Sequence, residues 1–135
     1  MSIFSSLFGN SENQKETVSK INWTPLVDVE QLNEIISLSS EKPVVIFKHS
    51  TRCNVSRMVL KQFENEFDLD EKVTPYFLDL LEHRDISNAI AERFTVEHQS
   101  PQLLLIKNGV SVSDVSHSAI DAADLRMQLE SFNGA

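Results

Sequence analysis

The chain has 135 residues, a formal net charge of −8 and a single cysteine. That length suits one domain around one core rather than two, and an apolar fraction of 41% excludes both a disordered polyanion and a membrane protein. The acidic balance leaves no excess of Lys and Arg to neutralise phosphates, which argues against nucleic acid as a partner.

No apolar run approaches the roughly 18 to 20 residues of a spanning helix, and Met1-Ser2-Ile3-Phe4 lacks the basic flank of a secretory signal. A cytoplasmic protein with no membrane partner is expected. Residues 1–21, rich in Ser, Asn, Gln and Glu, read as a tail, and residues 22–135 as one domain. Within the tail, Ile3, Phe4, Leu7 and Phe8 share one face of a notional short helix, but no basic residue precedes Lys15 to favour an anionic lipid surface.

From Trp23 onward, strand and helix signals alternate. Asp28 is placed to cap a helix carrying Val29, Leu32, Ile35, Ile36 and Leu38, which Ser39 to Lys42 then break. After Pro43, Val44-Val45-Ile46-Phe47 has the continuous apolar character of a strand buried on both faces. A polar loop, His49 to Cys53, leads into a helix beginning at the cysteine, with Val55, Val59, Phe63 and Phe67 on one stripe. Val73 to Leu81 reads as a second interior strand with Pro75 near its start, and Asp85 as the cap of a helix through Ile86, Ala89, Ile90 and Phe94. Leu103 to Ile106 and the run Val110, Val112, Val115 flank Asn108-Gly109, which predicts an antiparallel hairpin. A last helix follows Asp121 or Asp124 through Leu125, Met127 and Leu129. The order β-α-β-α-β-α-β-β-α describes an α/β domain.

With Cys53 alone, internal disulfides and multi-cysteine zinc sites are excluded, so any redox chemistry needs a second molecule. The four histidines show no metal-ligand spacing, no carboxylate pair suggests acid and base, and the three glycines form no phosphate loop; no metal is expected. At a helix start, unpaired backbone N–H groups favour an anion, and Arg52 adds a positive charge, so Cys53 is expected to be nucleophilic near neutral pH. Ser56 stands where a Cys-x-x-Cys motif has its resolving thiol. Its hydroxyl is one helical turn from the sulfur and can support a thiolate, or it can simply cap the helix. Each residue also has a bland reading: Cys53 as a small buried hydrophobe, Arg52 as a solvated loop charge, and His49 as the end of a strand rather than part of a site. Pro101 can simply open its strand, or a cis bond at Ser100-Pro101 can present an extended docking edge.

The order of elements, with Cys-x-x-Ser at a strand-to-helix loop and Ser-Pro opening a later strand, resembles the thioredoxin fold from Trp23 to about Phe132, a central mixed β-sheet flanked by helices. More narrowly, the run Pro43 to Ser56 with its His-Ser-Thr-Arg-Cys-Asn-Val-Ser string, together with Gln99-Ser100-Pro101-Gln102, resembles the monothiol bacilliredoxins of the YtxJ family. The resemblance implies removal of bacillithiol from proteins that carry it as a mixed disulfide. Cys53 is then the catalytic thiol, with Arg52 and Ser56 as thiolate support and Thr51, Ser100 and Pro101 as substrate-binding residues, Pro101 in the cis-proline place. It also implies bacillithiol as co-substrate, with no bound cofactor, and S-bacillithiolated clients, a low-molecular-weight thiol and a reducing redoxin as partners. Two departures stand out: Asn54 replaces the proline that often follows the cysteine, and Phe47 occupies the place of the buried acid of thioredoxins. Two other readings stay open, a peptide-binding module with an idle cysteine and an iron-sulfur carrier like the Cys-Gly-Phe-Ser glutaredoxins.

Overall fold

The computed structural model describes residues 21–134; the 1–21 tail assignment therefore falls, but for Ile21, outside the described residues. In chain order the elements are β1 (Thr24–Pro25), α1 (Gln31–Leu38), β2 (Val44–His49), α2 (Asn54–Glu66), β3 (Thr74–Asp79), α3 (Arg84–Arg93), β4 (Gln102–Lys107), β5 (Val110–Ser116), a 3-10 turn (His117–Ala119) and α4 (Ala122–Gly134). The five strands form one sheet in the order β1-β3-β2-β4-β5. β3 runs parallel to both β1 and β2, while β4 is antiparallel to β2 and β5. This is the expected α/β architecture with a mixed sheet.

Alternation along the strands builds two cores. Val45 and Phe47 of β2 and Leu103 and Leu105 of β4 face α2 and α4, meeting Val59, Phe63, Leu125 and Leu129. Val44, Ile46, Leu104 and Ile106 face α1 and α3, meeting Leu32, Ile35, Ile86 and Ile90. Because both faces are covered, β2 and β4 are the nearly unbroken apolar runs seen in the sequence. Each such side chain, fully buried, contributes about 1.5–3 kcal/mol through removal from water. Ile21 is also in the α2/α4 core, packed away from solvent.

Several local expectations shift. Asp28 does not cap α1: its Oδ1 accepts the Glu30 N–H at 2.9 Å in a turn that precedes the helix, whose N-cap is Glu30. Asp85 lies inside the first turn of α3 rather than at its cap, which is His83. For α4 the choice falls to Asp121, whose Oδ1 accepts the Ala123 N–H at 2.7 Å. Val55 leaves the buried stripe of α2, and Met127 that of α4, because packing against a twisted sheet covers a narrower arc than periodicity suggests. The Asn108-Gly109 hairpin forms as expected, both residues at positive φ, with Lys107 opposite Val110. Its tip is anchored by Ser39, whose carbonyl accepts the Asn108 N–H and whose hydroxyl accepts the Gly109 N–H.

Candidate active site at the start of α2

Parallel pairing of β2 with β3 and antiparallel pairing with β4 bring three chain segments to one end of the sheet: the end of β2, the loop to α2, and the start of β4. The register pairs Phe47 with Leu103 and Lys48 with Gln102, so the Ser100-Pro101 peptide, which is cis, lies at the end where β2 gives way to the cysteine loop. Thr51 and Arg52 are exposed there, Ser100 half-buried and Pro101 buried.

Cys53 is the N-cap of α2, with extended backbone angles (φ −102°, ψ 121°) and no side-chain cap, and it is half-buried. Its N–H donates to the Ser50 carbonyl at 3.2 Å, closing the turn, and its own carbonyl accepts the Arg57 N–H as the first bond of the helix. The thiol thus sits where the first-turn N–H groups lack intrahelical acceptors, an environment that favours negative charge.

The hydroxyl of Ser56, fully buried, lies 2.8 Å from His49 Nδ1 and accepts the Ser50 N–H at 3.1 Å. Ser56 is therefore not a helix cap; it ties the first turn of α2 back to the end of β2. His49, last in β2 and on the same face of the strand as Phe47, packs its ring against Phe47 and Phe77. Burial lowers its pKa below the ordinary histidine value, a shift partly offset by Asp79 and Glu64 and reinforced by Arg57.

Arg57 escaped the sequence reading. Its guanidinium donates to the Thr51 carbonyl at 2.8 Å and also to Asn54 Oδ1, bracing the loop on either side of the cysteine. Its position four residues beyond Cys53, on the same side of a helix, was the available signal. Phe47, where thioredoxins carry an acid, instead joins an aromatic cluster with Trp23, Phe63 and Phe77. Trp23 is fixed by an Nε1–H bond to Glu64 at 2.7 Å.

On the opposite face of the same sheet end is a buried cation. Lys48 is fully buried, and its Nζ donates to His98 Nδ1 at 2.8 Å; the same nitrogen lies 3.1 Å from Ser87 Oγ. Burial pushes the lysine pKa down to about 8, and the histidine is lowered too, by its own burial and then by Lys48 and Arg84. Across the strand pair, Gln102 donates to the Glu97 carbonyl, while its Oε1 and the Ser100 Oγ are buried without a protein partner. Among the described residues no group of three His, Cys, Asp or Glu side chains could hold a metal ion.

A strand-to-helix loop with one thiol at the helix start, and a cis-proline segment at the same end of the sheet, is the setting for thiol-disulfide exchange by a single sulfur. A model of monothiol bacilliredoxin BrxC matches residues 24–125, which include Cys53, Ser56, Ser100 and Pro101. The chain belongs to this family. The family places it among the thiol-disulfide oxidoreductases. A solved structure described as a putative oxidoreductase with a thioredoxin fold is 32% identical, covering 78% of this chain and 91% of its own, with a TM-score of 0.66. Thioredoxin from Malassezia sympodialis (22% identity, 84% and 93% covered, TM-score 0.63) and a poplar thioredoxin h mutant (14%, 87% and 87%, 0.66) share the fold. No helix of the described residues is long and apolar enough to cross a membrane.

Proposed function

We propose that the protein removes bacillithiol from S-bacillithiolated proteins in the cytoplasm. The Cys53 thiolate attacks the bacillithiol sulfur of the mixed disulfide; the client sulfur leaves as a thiolate and is protonated, and Cys53 carries bacillithiol as a new disulfide. A second bacillithiol, or the thiol of a reducing redoxin, then attacks that disulfide, so the two electrons that restore the Cys53 thiol come from outside the chain. The observation that carries this reading is the lone thiol at the α2 N-cap, in a chain whose family is described as monothiol. Arg52 and Ser56 are assigned to thiolate support, and Thr51, Ser100 and Pro101 to contact with the disulfide substrate. No cofactor is required.

Intact-mass spectrometry on a mixture of the full chain with a bacillithiolated client tests the assignment. The bacillithiol mass is expected to move to the protein and to map to Cys53, and Cys53→Ala is expected to abolish the transfer. A client that keeps its adduct in the presence of the wild-type chain would overturn the function.

A further inference from the structure

Residues 95–100 lead from α3 to Pro101 and β4, and none of them is fully buried. Of their side chains Val96 packs against the α1/α3 core, so polar ties decide where the rest of the segment lies. Two facing strands supply them. Lys48 of β2 and Gln102 of β4 stand directly opposite each other, on one face of the sheet, and both are fully buried. Lys48 Nζ donates to His98 Nδ1 at 2.8 Å, and Gln102 Nε2 donates to the Glu97 carbonyl at 3.0 Å. From α3, Ser87 Oγ lies 3.1 Å from the same histidine nitrogen, and the Pro101 carbonyl accepts the His117 N–H at 3.0 Å. An ammonium donates and cannot accept, so Nδ1 of His98 is the acceptor and carries no hydrogen. A buried ammonium costs stability that an apolar side chain of the same size would not; here it gains a charge-assisted bond to a segment 50 residues further along the chain. We propose that Lys48 and His98 are positioning residues for the reaction at Cys53: their bond clamps residues 97–100 to β2 and so fixes where Ser100 and Pro101 meet the disulfide substrate.

The proposal rests on the assignment of Ser100 and Pro101 to substrate contact. A contact made alike to substrate and transition state acts on KM and leaves kcat unchanged, so loosening the segment should weaken substrate binding without slowing the exchange step itself.

Lys48→Met, His98→Leu and His98→Asn, each made in the full chain, test the clamp. The first two delete the bond, whereas an asparagine Oδ1 can accept where Nδ1 did. Lys48→Met and His98→Leu are each expected to raise KM for a bacillithiolated client about three- to tenfold with kcat within about twofold of wild type, and the double variant to go no further than either single. His98→Asn is expected to keep the wild-type KM. Because Lys48→Met relieves a buried charge, its KM should rise while its stability at pH 7 does not fall, a combination that a purely structural role does not give. Nitrogen-15 relaxation needs no client: order parameters of the Glu97, His98, Gln99 and Ser100 amides are expected at about 0.85 in the wild type and His98→Asn, and below about 0.6 in the two deletion variants. Unchanged order parameters or an unchanged KM in Lys48→Met, or a KM raised as much by His98→Asn as by His98→Leu, would overturn the proposal. A wild-type chain that transfers no adduct overturns the proposed function instead, and the relaxation measurement still decides whether the clamp holds the segment.

Discussion

The reactive residue and its neighbour three positions on differ in how openly the sequence displays them. Cys53 at a helix start is legible because a buried strand, a polar loop and an amphipathic helix are all local patterns. The work of Ser56 is not, because its hydrogen-bond partners His49 and Ser50 precede the loop, and only the closed turn brings them to its hydroxyl. Ser56→Cys is expected to convert the one-sulfur site into a resolving one. The introduced thiol, one turn from Cys53, should attack a Cys53 mixed disulfide and expel the small thiol, leaving a chain lighter by two hydrogens in the intact mass. A Cys53 adduct as long-lived as in the wild type would show that this position does not reach the sulfur. Loss of the Ser56 hydrogen bonds should also lower stability by about 1–2 kcal/mol, measurable by urea unfolding.

At the scale of elements, the hairpin and the helix ends show what local sequence can and cannot specify. Asn108-Gly109 dictates its turn by backbone preference alone, so β4 and β5 were legible as an antiparallel pair. That the turn is also tied to Ser39 at the end of α1 comes from a contact between segments 70 residues apart. Gly109 has φ +80°, and a methyl group there would stand 3.2 Å from Ile36 Cγ2. Gly109→Ala is accordingly expected to destabilise the protein by about 1–2 kcal/mol, visible as a lowered urea midpoint at unchanged slope. The helix caps were less legible because Asp is equally at home in a preceding turn, as at Asp28, and in a first helical turn, as at Asp85. The valines of β5 mislead in another way: Val110 and Val112 are exposed, while Ser111 and Ser113 between them are half-buried.

Across the whole molecule, the least expected feature is Lys48, a charged residue next to the end of an apolar strand and buried beneath α3 with His98 and Ser87 as neighbours. Its folded-state pKa, about 8, lies below the ordinary 10.5. Between those values the unfolded chain binds the proton that the folded chain has released, so stability should rise with pH across that window. Tyr76, pushed up to about 12 by burial and by Glu34, opposes this above pH 10, which makes pH 8 to 10 the interval to measure. Lys48→Met is expected to flatten that rise in chemical-denaturation curves and to raise stability at pH 7, where the wild type buries an ammonium. An unaltered pH slope in the variant would assign the effect to another group. His49 and His98, both lowered, act at the other end: their contribution is complete above about pH 6.5 and is lost as pH falls through their folded values.

The order of elements, the two-faced burial of β2 and β4, the hairpin and the placement of a single thiol at a helix start were determined by the sequence itself. Each depends on periodicity, turn preference or composition, which act over a few residues at a time. The tertiary structure decided which side chains surround that thiol. The Ser56–His49 bond, the Arg57 brace, the buried Lys48–His98 pair and the arrival of Ser100-Pro101 beside the cysteine loop all depend on strand register and chain closure. Register is a property of pairs of segments, and no single segment carries it.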